Sequence, residues 1–221
     1  MELEPLPPNE RRRERRKDAR PSEILDAALD VFAEKGFAAA KLDDIAARAG
    51  ISKGTLYLYF TSKEELLKGV VHENIVNMIE EGRVFIREYP GDTPSLLRDF
   101  VIEWWRRKGM TKVSAIPKLI MSEAGNFPEI AKFYYEEVIC PADEMITSIL
   151  RRGVERGEFA PVARLHETAL SIMCAVLFVV NWKHSIGPCV PRESVDAEQF
   201  LNNHVSLLVD GLRPRTSPRA A

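Results

Sequence analysis

AGISKGTLYLYFTSKEEL, residues 49–66, is the stretch that decides the fold. Six successive residues, Gly54 to Tyr59, hold a glycine, a threonine, two leucines and two tyrosines, with Lys53 before them and Lys63 after. A core helix would not place Gly54 near its start, because glycine weakens a helix and has nothing to pack. A solvated helix would not carry so many aromatics. The pattern fits a short helix whose outer face meets a partner. Ser52 can cap that helix by accepting a bond from a free backbone N–H. With Leu56 taken as the inward direction and about 100° turned per residue, Phe60 lies about 40° away and also points inward. Gly54 and Leu58 then fall on the opposite side, with Thr55 and Tyr57 on the flanks.

That outer face suits the major groove of DNA. Gly54 lets backbone come close to a ligand. Thr55 can bond to base edges or touch a thymine methyl, and Leu58, which has nothing polar to offer, suits the same methyl. The hydroxyls of Tyr57 and Tyr59 and the ammonium groups of Lys53 and Lys63 can reach phosphates. Tyr59 is placed to pack the head as well.

Upstream, Ile24, Leu25, Ala28, Val31 and Phe32 recur at helical spacing until Gly36. Leu42, Ile45, Ala46 and Ala49 form a second short apolar face, ended by Gly50. Three helices in so short a span, with a glycine in the turn before the third, make a helix-turn-helix. Ser62 and Glu65 offer a capping box for a fourth helix. The spacing predicts that helix from about residue 62 to about 87, roughly 40 Å long at 1.5 Å per residue. It is too long for the head alone and is expected to reach into a second domain.

Everything beyond "EYPGD" also reads as helix. Leu97, Phe100, Val101 and Trp104 share a face, and a segment around Val113–Ala124 follows. Residues 128–153 read as a long helix kinked at Pro141, which removes one backbone bond. His166–Ser185 is apolar nearly all round. Leu201, Val205, Leu208 and Leu212 are spaced four, three and four, a seam suited to a partner helix. The fold class is therefore all-α: a three-helix head joined by a long helix to a larger helical domain. The expected divisions are a disordered basic arm over 1–20, a DNA-binding head over 21–67, and an effector-binding and dimerisation domain over 68–215.

The chain has 221 residues, 45% of them hydrophobic and 29% charged, the usage of an ordinary globular protein. Its net charge of −2 does not announce a nucleic-acid partner, but "RRRERRKDAR" at 11–20 places seven bases against two acids just before the head. Such an arm could lie along phosphates. Cys140, Cys174 and Cys189 are far apart, without a CxxC pair, so they read as free thiols in a reducing cytoplasm. His72, His166, His184 and His204 lack metal-ligand spacing. The N-terminal "MELEPLPP" has no apolar stretch for a signal peptide, and the longest apolar run, Ile172–Val180, falls short of a bilayer span. No nucleophile–base pair, paired acids or metal constellation suggests an enzyme, and no cofactor is expected.

"LDDIAARAGISKGTLYLYFTSKEELL", with "ILDAALDVFAEKGF" before it, resembles the DNA-binding head of the tetracycline-repressor (TetR) family over residues 22–68. By that resemblance Ser52, Lys53, Gly54, Thr55, Tyr57, Leu58, Tyr59 and Lys63 occupy the family's DNA-contacting positions. One departure stands out. Where the family has a Ser or Thr that caps the second helix and touches phosphate, this chain has Ala40-Lys41. Lys41 cannot accept the capping bond, though its ammonium can meet phosphate, and Asp43 in the first turn suits the helix dipole. The resemblance implies a ligand-responsive transcriptional regulator, a repressor, binding a pseudo-palindromic double-stranded operator as a homodimer. Residues 90–215 resemble the family's regulatory domain in outline only. Met78, Trp104, Met121, Phe133, Phe178 and Trp182 are the candidate lining of a site for a small, largely apolar effector. A redox- or metal-responsive regulator is the alternative.

Overall fold

The computed structural model describes residues 8–190 and 195–214, with side chains from residue 21 onward. The described residues contain eleven α-helices and no strand. They divide into two compact units at Glu73/Asn74.

In the first unit, α1 (Pro8–Lys35) packs against α2 (Leu42–Arg48) and α4 (Lys63–Val71), and α3 (Lys53–Tyr57) packs on α2. Ile24, Ala28, Phe32, Phe37, Ile45, Leu56, Leu66 and Val70 are fully buried and form its core. Burying a side chain such as Phe32 contributes about 1.5–3 kcal/mol. Gly36 and Gly50 take φ of 77° and 65°, left-handed turns that end α1 and α2 at the places the sequence marks. Helix α1 begins earlier than expected. The backbone of residues 8–20, expected as a disordered arm, is helical. Arg, Lys and Glu are good helix formers even without an apolar face, so the missing period did not exclude a helix. The side chains of the basic stretch, and residues 1–7, lie outside the described residues.

Helical backbone runs without interruption from Lys63 to Glu88: α4, a π segment at His72–Val76, then α5 (Asn77–Glu88). The second unit continues with α6 (Thr93–Trp104), α7 (Ala115–Glu123), α8 (Pro128–Tyr134), α9 (Cys140–Glu155), α10 (Leu165–Asn181) and α11 (Ala197–Leu212). Helix α10 packs on α9, α7 and α11, and α6 on α9 and α11. The expected kink near Pro141 takes the form of a π segment, Tyr135–Ile139, between α8 and α9. Proline brings no N–H, and a wider turn just before it absorbs the lost bond. Two further π segments, Trp105–Gly109 and Trp182–Ile186, extend α6 and α10.

The expected seam on α11 needs correction. Leu201 and Val205 are fully buried inside the protomer, where α11 packs on α6, and Leu208 is half-buried. The apolar residue that α11 turns to solvent is Leu207, 72% exposed. A four-three spacing marks an apolar face but does not say whether its partner is a neighbouring helix or another chain.

Candidate nucleic-acid interface and ligand cavity

Helix α3 is short, and its ends are tightly specified. The Ser52 hydroxyl accepts from the Thr55 N–H at 3.1 Å and pairs with the Thr55 hydroxyl at 2.8 Å. Leu56 is fully buried and Phe60 half-buried, which fixes the rotation of the helix. Leu58 is then 81% exposed and Tyr57 45% exposed, with Ser52, Lys53 and Gly54 exposed beside them. Thr55 and Tyr59 are half-buried at the edges of this face. A Cβ built on Gly54 would meet nothing nearer than Ser52 Oγ at 3.8 Å, and φ of Gly54 is not positive. Nothing inside the head requires a glycine there. The space it leaves is outside the protein.

Electrostatic ties hold the three helices around this face. Arg48 donates both arms to Glu34, at 2.7 and 2.6 Å, and the Lys35 ammonium lies 2.9 Å from Asp44. The Arg48 hydrogen bonds hold the Glu34 carboxyl below its ordinary range. Lys53 pairs with Asp43 at 2.8 Å, which raises the lysine above its usual value. Lys41 is exposed and stands at the N-terminus of α2 without a side-chain cap, as the sequence implies. At the start of α4 the Ser62 hydroxyl accepts from Glu65 N–H, while the Glu65 carboxylate takes the N–H and hydroxyl of Thr61.

Lys63 stands apart from the other candidates. Its ammonium donates to the carbonyls of Phe37, Ala38 and Ala40, at 2.6, 3.1 and 3.2 Å, and sits 4.5 Å from the centre of the Phe37 ring. All three of its protons are directed at the link between α1 and α2. The structure makes it a brace of the head, where the sequence suggested a free cation for phosphate. Spacing along the chain carried no sign of this.

The second unit encloses a cavity of about 130 Å³ between α5, α6, α9 and α10. Of the six residues named from the sequence, Met78 and Trp104 line it. Met121, Phe133, Phe178 and Trp182 do not. Met121 is 57% exposed, and Phe178 is 45% exposed, with its ring 6.0 Å from Trp182 and 5.1 Å from Phe200. Phe133 is half-buried off the wall, and its neighbour Tyr134 takes the place expected for it. Neighbouring helical residues point about 100° apart, so a register error of one residue exchanges wall for surface. Tyr134, Lys108, Met145, Ile172 and Met173 were missed; the apolar ones carried no mark distinguishing them from core. A smaller cavity of about 80 Å³ shares Met78, Phe100, Trp104 and Met145 and adds Glu81, Glu103 and Arg107. Among the described residues no group of His, Cys, Asp or Glu is arranged to hold a metal ion.

Residues 24–70 match the model of the bacterial regulatory proteins of the tetR family. The chain is similar to the uncharacterised HTH-type transcriptional regulator YfiR of Bacillus subtilis, 28% identical over 67% of this chain and 72% of that protein. Its fold is similar to the fatty acid degradation regulator FadR of Bacillus halodurans, with a TM-score of 0.74 and 25% identity over 89% of this chain and 97% of that one. It is also similar to FadR of Bacillus subtilis, solved in complex with stearoyl-CoA, with a TM-score of 0.66 and 24% identity over 87% and 99% of the two chains.

Proposed function

This chain belongs to the tetR family of DNA-binding transcriptional regulators, and from that premise we propose that it is a ligand-responsive repressor of the bacterial cytoplasm. It reads a pseudo-palindromic operator as a homodimer and leaves it when a small, largely apolar molecule fills the cavity of the second unit. The observation that carries the reading is Gly54. The head does not need a glycine there, whereas a groove lying against α3 does. Ser52, Tyr57 and Tyr59 surround that position with hydroxyl donors, Lys41 and Lys53 supply charge, and Thr55 and Leu58 face the bases.

One short helix meets only a few base pairs, so useful specificity calls for two heads on a two-fold site. The second copy covers the apolar surface of α10 and α11. The run Leu165–Cys189 is long and apolar enough to cross a bilayer, yet only 28% of its most apolar window is buried in the protomer. Cys174, Phe178 and Leu207 are exposed there. A four-helix interface between two copies removes this surface from water.

Ligand in the cavity acts on the continuous helical run 63–88, of which Ile75, Met78 and Ile79 form part of the wall. FadR of Bacillus subtilis, solved with stearoyl-CoA, supports a small-molecule effector for a chain of this fold. Coupling between two such sites is about 1–3 kcal/mol, or 5–150-fold in affinity, and is reciprocal. The test is selection of genomic fragments on the purified protein, followed by fluorescence anisotropy on the selected operator with and without apolar compounds. Compounds that bind tightly and leave operator affinity unchanged refute the mechanism. Loss of operator binding on alkylation of Cys174 and Cys189, without any such compound, favours the redox reading instead.

A further inference from the structure

The lining of the proposed effector cavity is not wholly apolar. Of its nineteen lining residues, only Lys108 and Tyr134 carry a charge or a hydroxyl. Tyr134 is 7% exposed, and its hydroxyl has no hydrogen-bond partner among the described residues. Burial pushes that hydroxyl well above its ordinary value, so it stays protonated and can only be satisfied as a donor or neutral acceptor. Lys108 sits in the π segment Trp105–Gly109 and is half-buried. Its neighbours are taken: Arg106 by Glu198 and Arg107 by Glu103, each at 2.5 Å. The Lys108 ammonium has no carboxylate or carbonyl partner among the described residues. A few polar groups in an otherwise apolar pocket fix the orientation of its ligand, and these two suit a ligand that meets both.

Further basic groups lie near this lining, while the adjoining space carries Glu81, Glu103 and Arg107. Val113 and Pro117, which also line the cavity, flank Ser114 in the chain, and Lys183 and His184 converge on Ser114 at 3.1 and 2.8 Å. Burial first, then the charges of Lys183 and Lys118, holds His184 down to about 4. The imidazole is thus neutral, chiefly through burial, with two lysines adding to the effect. The π segments bear on the same cavity: Ile75, Lys108 and Val138 each belong to one and each line the wall. Such segments often occur at functional sites, because one extra residue in a turn re-aims the side chains around it.

Volume bounds the rest of the ligand. A cavity of about 130 Å³ is close to the engineered cavity of about 150 Å³ that takes benzene. The adjoining space of about 80 Å³ extends it past Met78 and Trp104. Together they suit a body of about six to ten carbons, far less than a long acyl thioester with its nucleotide.

Resting on the reading of this cavity as the effector site, we propose that its ligand is a small lipophilic monocarboxylic acid. The carboxylate pairs with the Lys108 ammonium and accepts from the Tyr134 hydroxyl, and the hydrocarbon lies among Met78, Trp104, Met145 and Ile172.

Trp104 in the wall provides the signal for the test. Quenching of tryptophan fluorescence is titrated with octanoate and with octan-1-ol, which has the same carbon chain and no charge. The intact protein is expected to bind octanoate about tenfold more tightly than octanol, the worth of one charged hydrogen bond. Lys108→Met keeps the stem and removes the charge; it is expected to abolish that preference while leaving octanol affinity within about twofold. Tyr134→Phe is expected to weaken octanoate several-fold. Equal affinity for both compounds, unchanged in Lys108→Met, overturns the assignment of an acid and leaves an apolar effector site standing. If neither these compounds nor larger apolar ones bind, the effector site itself is refuted.

Discussion

Lys63→Met separates a brace from a phosphate contact. Methionine keeps most of the apolar stem over the Phe37 ring and removes the ammonium that holds three carbonyls. A hydrogen bond from a charged donor contributes about 1.5–3 kcal/mol net. The three here share one charge, and the Ala38 contact is exposed, so its carbonyl can turn to water. The Phe37 and Ala40 carbonyls are half-buried and lose more. The cation over the ring adds about 0.5–1 kcal/mol. We expect the head to lose about 2–4 kcal/mol in all. Thermal unfolding followed by circular dichroism on the full chain then shows an early transition for the head, lowered by about 10–20 °C for a unit of this size. Lys53→Met, which breaks only the exposed pair with Asp43, serves as the control and is expected to change stability by less than about 1 kcal/mol. The salt dependence of operator binding completes the assay. If Lys63→Met leaves unfolding unchanged and lowers the salt slope by about one, the lysine serves phosphate and the bracing argument is wrong.

Gly54→Ala is expected to stabilise the head by about 0.5–1 kcal/mol while weakening operator binding at least tenfold, so melting and anisotropy move in opposite directions. Thr55→Ala and Leu58→Ala should each cost about 1–3 kcal/mol on the operator and little on random duplex, as titrations on both would show. The pair Phe178→Glu, Leu207→Glu is expected to give folded monomers by sedimentation; Leu201→Glu should instead unfold the second unit, because Leu201 is fully buried in the protomer. His184, lowered to about 4 from an ordinary 6.5, is neutral in the folded state at both ends of the range pH 5–7. The unfolded chain binds the extra proton, so the stability it contributes is present above about pH 6.5 and lost as pH falls toward about 4. Denaturant titrations at pH 7 and pH 5 should show a loss that His184→Gln abolishes, on the order of 1–2 kcal/mol after allowing for its half exposure.

The head was legible because its signals are local. Ser52, Ser62, Gly36 and Gly50 mark ends by what their own side chains or φ values do, and Leu56 with Phe60 sets the rotation of α3. Lys63 was misjudged because its partners are carbonyls more than twenty residues upstream, and carbonyls look alike in every sequence. In the second unit the apolar pattern gave the helices but not their neighbours. Helix α10 is apolar on most sides, so period alone could not tell the wall, with Met173 and Leu177, from the outer face, with Phe178. The π segments add to the difficulty. Each inserts a residue into a turn, and a wheel drawn at 3.6 residues per turn drifts out of phase after it.

The pair between Lys53 and Asp43 has a consequence for how the protein searches DNA. A carboxylate 2.8 Å from the ammonium is a tethered competitor for any phosphate that approaches Lys53. It opposes the grip on every sequence alike, since phosphates carry no sequence information. The base contacts proposed for Thr55 and Leu58 are untouched by it. Residence on random duplex is therefore shortened in proportion to residence on the operator, and the time spent at wrong sites falls without any change in which site is preferred. Asp43→Asn would lift that brake, and the protein would linger wherever it landed.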